Sequence, residues 1–324
     1  MLTTKFDDAA VPPSLQAHVK IPFPARTFQT LRRKTIATAL AICAGTALSS
    51  WPSAAAVETM VERGAYLTKS VAACGRCHTP RDGNSLPIPG LGLAGGSWYS
   101  DPAVGYVVAP NITPDPETGI GRWTQAQIVN AIRNGVRPDG TIIGPPMPFS
   151  AYRELSDRDV NAIAAYLRTA KPIRNPLPRS QYAITPAVYG EMVIHVTEPQ
   201  RADRLAYGAY LAGPVAHCIG CHTPLREGGQ QLERRRAFTG GRQLHAYGQP
   251  GVLVPSRNIT PDPEEGIGRW SDAEIKRATL VGIRPDGTHL SPAMPYPWYR
   301  QMAPADIEAI VAYLRTVKPL KNSE

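Results

Sequence analysis

The sequence of 324 residues contains little cysteine, five residues in all, and no block of Lys and Arg interleaved with aromatics. It also lacks an apolar run long enough to cross a bilayer comfortably and any convincing segment of strand-like alternation. The formal charge of +9 is concentrated at the N-terminus, where the first 56 residues hold six Lys/Arg against two Asp/Glu, leaving 29 against 24 in the rest. That modest excess, with Arg234-Arg235-Arg236 as its longest cluster, argues against nucleic acid as a partner. A content of 43% hydrophobic and 19% charged residues is that of a globular chain, and the length suffices for two ordinary domains. What is plentiful is loop-forming: 33 Pro and 28 Gly predict short helices joined by long structured loops.

The N-terminus reads as an export signal. Arg32-Arg33-Lys34 precedes an apolar run over 35–48, and the small residues Ser53-Ala54-Ala55-Ala56 end it at a cleavage site near Ala56. The alternative is an uncleaved anchor. Cys43 lies inside the run behind Ile42, where a lipoprotein signal needs a small residue, so it is read as part of the removed leader.

Self-similarity organises the rest of the chain. Gly64-Ala65-Tyr66-Leu67 returns as Gly208-Ala209-Tyr210-Leu211, and Cys74, Cys77 and His78 return 144 residues later as Cys218, Cys221 and His222. NITPDPETGIGRW at 111–123 returns at 258–270, identical at 12 of 13 positions, and from there on the offset is 147. A three-residue insertion between His222 and Asn258 accounts for the change. The chain therefore reads as a leader over 1–56, a first domain over 57–171, a Pro-rich linker over 172–200 and a second domain over 201–324.

Each copy carries the same signals in the same order, and they are mainly α. Helices are predicted over about 58–72 and 204–215. A Gly/Pro-rich loop of some forty residues comes next, and its length implies that it wraps around something. Thr124 with Gln127, and Ser271 with Glu274, form capping-box patterns for a further helix that ends at Gly135 or Gly282. A last helix begins near Ser156, or near Pro304 at a first-turn position. Gly64 and Gly208 are placed to let the first helix approach Tyr166 and Tyr313 on the last.

All four cysteines beyond the leader lie in C-x-x-C-H. Two thiols at that spacing match the two vinyl groups of haem, and the adjacent His faces the iron. Zinc would want the two pairs some fifteen to twenty residues apart and gives His no role; a redox dithiol needs neither the His nor the duplication. The reading is two covalently bound haem c groups, held through Cys74, Cys77, Cys218 and Cys221, with His78 and His222 as axial ligands. For the sixth position, Met147 in Pro145-Pro146-Met147-Pro148 and Met294 in Pro292-Ala293-Met294-Pro295 recur in register, each five residues before a Tyr. A Pro-flanked thioether is a soft neutral ligand that favours ferrous iron; the alternative is a packing methionine. His289 is a second candidate in the second domain only, because its counterpart is Ile142. Trp123 with Trp270 are either haem walls or core residues, and Arg137 with Arg284 are either propionate partners or solvated.

The motifs VAACGRCHTP, NITPDPxxGIGxW, PxMPxxxY and AIxAYLRTxKP, covering nearly all of the chain from about residue 60, resemble class I cytochrome c domains of the kind found in cytochrome subunits of periplasmic alcohol, aldehyde and sugar-acid dehydrogenases. The resemblance implies His/Met iron in each domain. It further implies electrons accepted from a periplasmic dehydrogenase and delivered to a quinone, a terminal oxidase or a soluble cytochrome. Such subunits commonly carry three haem domains and a membrane-associating C-terminal segment, whereas this sequence shows two domains, so that peripheral association with the inner membrane stays open. The expected function is electron transfer in the periplasm by a non-enzymatic subunit; the alternative is a diheme peroxidase-like enzyme with one open iron.

Overall fold

Local capping chemistry sets the ends of several helices of each repeat in the computed structural model, which describes residues 58–322 apart from 84–85, 189, 228–230 and 246–251. The leader and its cleavage site near Ala56 lie outside the described residues. The first repeat comprises α1 (Met60–Lys69), α2 (Gly75–His78), strands β1 (Trp98–Asp101) and β2 (Gly105–Val108), α3 (Gln125–Asn134), α4 (Phe149–Tyr152) and α5 (Asp157–Thr169). After β3 (Gln181–Tyr182) comes the second: α6 (Arg204–Tyr210), α7 (Cys218–His222), β4 (Gln243–His245), β5 (Leu253–Pro255), α8 (Asp272–Val281), α9 (Tyr296–Tyr299) and α10 (Pro304–Leu314).

Thr124 with Gln127 and Ser271 with Glu274 close reciprocal capping boxes, and Thr59 with Glu62 adds a third. Gly135 and Gly282 end α3 and α8 at φ 69° and 78°, a left-handed conformation that glycine adopts without steric cost. α1 is shorter than expected because Ser70 leaves the helical region. Its counterpart α6 instead runs on through a wide π-helical turn, Leu211–Val215, which accommodates Pro214.

The short strands correct the expectation of none. They span two to four residues each, too few for alternation to register in sequence. Their registers also locate the inserted residues. The bridge Arg81↔Pro87 becomes Leu225↔Leu232, one residue longer, and the hairpin pair Trp98↔Val108 becomes Gln243↔Pro255, two residues longer.

Within each domain the first and last helices cross at a glycine. A Cβ on Gly64 would stand 1.8 Å from the Ala162 carbonyl oxygen and 2.8 Å from Tyr166 Cβ; on Gly208 it would meet the Ala309 oxygen at 2.1 Å and Tyr313 Cβ at 2.9 Å. The Pro-rich stretch after α5 is bound to the first domain. The Ile173 carbonyl accepts from Asn111 at 2.7 Å, β3 pairs with β2, and the backbones of Asp157 and Val196 bond at 2.9 Å. Leu320 O accepts from Asn258 at 2.7 Å in the same way.

Residues 56–324 form one unit, with an apolar core that runs through both repeats. The repeats meet with approximate two-fold symmetry. Tyr210 of α6 donates to Asp159 of α5 at 2.8 Å and accepts from the Ser156 amide at 3.1 Å; Tyr66 of α1 donates to Asp306 of α10 at 2.6 Å and accepts from the Ala303 amide at 3.0 Å. Symmetry breaks at Arg63, whose guanidinium clamps Asp159 with two bonds of 2.8 Å and reaches its own counterpart Tyr207 at 3.4 Å.

Candidate haem-binding sites

Each C-x-x-C-H closes a single helical turn. Ala73 and His217, immediately before the first cysteines, adopt φ 49° and 44°, which turns the backbone sharply into that helix. The amides of Cys77 and His78 bond to the Cys74 carbonyl at 3.2 and 3.0 Å, bringing both thiols of the first motif onto one turn. All four thiols are free rather than paired in disulfides. Burial, then the neighbouring cysteine, pushes Cys74 and Cys218 alike up to about 12.

The histidines are oriented by the long loops. His78 Nδ1 donates to the Pro110 carbonyl at 2.8 Å and His222 Nδ1 to the Arg257 carbonyl at 2.7 Å. This arrangement leaves Nε2 of each ring as the available ligand, the usual device for fixing the tautomer of a metal-bound imidazole. Burial lowers both pKa values, opposed by these bonds, and so favours neutral rings. The backbone next to each carbonyl is held close: a Cβ on Gly95 would be 2.5 Å from Pro110 C, and on Gly240 it would be 2.5 Å from Arg257 C. Asn111 and Asn258 stiffen the following turn by accepting from the amide and hydroxyl of Thr113 and Thr260.

The methionine segments are tied to the same turns. Tyr152, five residues after Met147, donates to the Ala72 carbonyl at 3.1 Å, and Tyr299, five after Met294, donates to Ala216 at 2.8 Å. Each acceptor lies two residues before the first cysteine of its domain. Burial holds both hydroxyls far above the usual tyrosine range, so that they remain donors. Met147, Met294, Cys74 and Cys218 all pack partly buried on the common core. Among the described residues the other methionines do not share this setting: Met60 and Met192 are exposed on the surface and Met302 is a buried core residue.

Arg137 donates to Thr141 and the Ile142 carbonyl, and Arg284 to Thr288 and the His289 carbonyl, so both clamp the loop that leads to the methionine. Trp123 and Trp270 pack partly buried against the core. His289 is exposed, bridged through its backbone to Ile283. His195 bonds Asp157 at the surface. His217 lies edge-on to Tyr152 with ring centroids 5.8 Å apart, and burial followed by the nearby Arg76 charge pushes its pKa down to about 4.

Sequence reasoning missed the Pro110 and Arg257 carbonyls, although both stand directly before the repeated NITP segments and could have been found from that position. It also missed two braces on the methionine loops. Tyr182 OH accepts from the Gly144 amide at 3.1 Å, and Arg76 donates to the Ala293 carbonyl at 2.6 Å.

The donor set of each domain, two thiols on one turn, an imidazole with Nδ1 engaged and a Pro-flanked thioether, fits covalent haem. Family models agree: cytochrome c matches residues 206–318, and cytochrome c oxidase cbb3-type subunit III matches residues 59–167. The chain is 33% identical over 316 residues to the fructose dehydrogenase cytochrome subunit of Gluconobacter japonicus, covering 90% of this chain and 60% of that protein. It is 31% identical over 303 residues to the alcohol dehydrogenase (quinone) cytochrome c subunit of Komagataeibacter europaeus, covering 89% and 62%. A diheme cytochrome c-type protein of Cereibacter sphaeroides is 29% identical over 264 residues, covering 76% of this chain and 83% of that protein. The chain thus spans about 60% of the length of the two dehydrogenase subunits. The chain carries two tandem cytochrome c domains, and its cofactors are two covalently bound haem c groups.

Proposed function

We propose that the protein is an exported diheme electron-transfer subunit that accepts electrons from a periplasmic dehydrogenase and passes them to a quinone, an oxidase or a soluble cytochrome. Cys74 and Cys77 would hold the first haem and Cys218 and Cys221 the second; His78 with Met147, and His222 with Met294, would supply the iron ligands. Haem supplies one-electron chemistry at iron, and the chain fixes the ligands and excludes water. The observation that carries this reading is the matched frame: in both domains a backbone carbonyl orients the histidine and a buried tyrosine ties the methionine segment to the attachment turn. An open-iron peroxidase would need an asymmetry between the methionine segments that this frame does not favour.

The dehydrogenase partner rests on the names of the relatives, and the periplasmic location on the leader and on the resemblance to periplasmic subunits. Among the described residues no helix is long and apolar enough to cross a membrane. The ligand assignment is tested by spectroscopy of the loaded protein. Both haems are expected to be low-spin, with a near-infrared sulfur-to-iron band from each and no ready carbon monoxide binding after reduction. Met147→Ala should open only the first haem and lower its potential, since a neutral soft ligand stabilises ferrous iron, and Met294→Ala should do the same at the second. A high-spin haem in the unaltered protein, or a six-coordinate second haem after Met294→Ala, would overturn the assignment.

A further inference from the structure

The attachment turn of the first domain touches the methionine loop of the second. Arg76, between the two cysteines of the first motif, sends Nη2 to the Ala293 carbonyl at 2.6 Å, a short charge-assisted bond to a residue only 5% exposed. That carbonyl belongs to the peptide unit joining Ala293 to Met294, whose N–H end donates to the Ser291 carbonyl at 3.0 Å. The plane that positions Met294 is therefore held at both ends, one of them by the other domain. The contact is buttressed: the Arg81 guanidinium lies over the Trp298 ring, 5.2 Å from its centroid, and a Cβ on Gly75 would be 3.0 Å from Trp298 Nε1.

The symmetry-related flank has none of these side chains. Gly220 replaces Arg76, Leu225 replaces Arg81, Ala151 replaces Trp298 and Pro146 replaces Ala293. An open cleft lies there, lined in part by Pro148, Ala151, Gly213, Pro214, Ile219 and Gly220, with the more than half-exposed pair Glu154 and Arg234 at its edge.

We propose that Arg76 is a positioning residue for the sixth ligand of the second haem, so that the first domain controls how firmly Met294 is held while the second domain exerts no such control over Met147. This inference rests on the reading of Met294 as ligand. Arg76 acts through the peptide plane, and the consequence is resistance of the second site to exchange of its ligand.

The test is imidazole titration of the oxidised diheme protein, followed by loss of the near-infrared sulfur band, with Met147→Ala and Met294→Ala used to assign each half of the signal. Arg76→Ala is expected to raise the imidazole affinity of the second haem by roughly tenfold or more, the equivalent of one charge-assisted hydrogen bond, and to leave the first haem unchanged. Arg76→Gln, which keeps a donor without the charge, should fall between the two and carries the test if Arg76→Ala assembles with fewer than two haems. Equal affinities in all these proteins, or a change confined to the first haem beside which Arg76 sits, would overturn the proposal. If Met294→Ala left the sulfur band intact, the ligand reading itself would fall, an outcome recognisable without any Arg76 variant.

Discussion

The two repeats keep the same frame around the C-x-x-C-H turn but brace the methionine loop from different places. In the first domain the brace comes from the segment after the last helix, where the Tyr182 hydroxyl accepts from the Gly144 amide at 3.1 Å. In the second it comes from the other domain, through Arg76. The carbonyl acceptors of the histidines, the tyrosine ties and the glycine helix crossings are retained in both copies, whereas at the junction between copies the tyrosine–aspartate pairs are retained and Arg63 and Arg76 have diverged to Tyr207 and Gly220. Elements that surround a haem have little freedom; elements that meet only after duplication can specialise.

The junction itself offers the strongest way to break this comparison. Asp159 and Asp306 occupy equivalent places, but only Asp159 has an arginine, and that pair is almost wholly buried, with side chains 2% and 0% exposed. Burial alone would lower the Arg63 pKa, yet the bonds and charge of Asp159 outweigh it and raise it above the ordinary arginine range. Arg63→Met should therefore strand a buried carboxylate and cost about 3–5 kcal/mol, toward the lower figure because the bond from the Tyr210 hydroxyl remains. Asp306→Asn, which keeps an acceptor for Tyr66, should cost only about 1 kcal/mol. Denaturant unfolding followed by haem absorbance measures both, and similar losses would show that the asymmetry carries no energetic weight.

A smaller effect is expected at the helix crossings, where the two domains should behave alike. Gly64→Ala and Gly208→Ala each force a methyl group against a backbone carbonyl at 1.8 and 2.1 Å, a contact that only separation of the helices can relieve. Overpacking of this kind costs about 1–3 kcal/mol, with Gly64 the more sensitive. Thermal unfolding of the two variants checks the order, and a neutral result at either position would mean that the helices part without loss of packing.

Much of the fold and of the haem sites was legible because it is local or duplicated. The C-x-x-C-H turns, the capping boxes at Thr124 and Ser271, the helix-ending Gly135 and Gly282 and the approach of Gly64 to Tyr166 each depend on residues close in sequence or repeated at a fixed offset. The strands escaped because they are too short to show a period, and the split of the insertion into one and two residues shows only in the pairing registers. Arg63 with Asp159, 96 residues apart, and Arg76 with Ala293, 217 apart, form by the packing of one element or one domain on another. Nothing within either segment marks the partner. The repeat could even mislead here, since Arg76 and Gly220 align inside otherwise equivalent motifs.

The smallest expected effect is also the closest test of the shared frame. Tyr152 and Tyr299 are 4% and 2% exposed, and each donates to a carbonyl two residues before an attachment cysteine. Replacement by Phe keeps the ring, including the edge contact of Tyr152 with His217, and removes only the hydroxyl. The carbonyl left behind in a buried setting should cost about 1–2 kcal/mol in either domain, and the freed methionine segment should make ligand exchange faster at that domain's own haem. Local unfolding is the observable: hydrogen exchange at the Met loop and imidazole binding kinetics, read in both single variants. Equal responses confined to the altered domain would place these tyrosines within the duplicated frame. A response of Tyr152→Phe at the second haem would instead mean that His217 transmits the change across the junction, and that the flank opposite Arg76 is coupled as well.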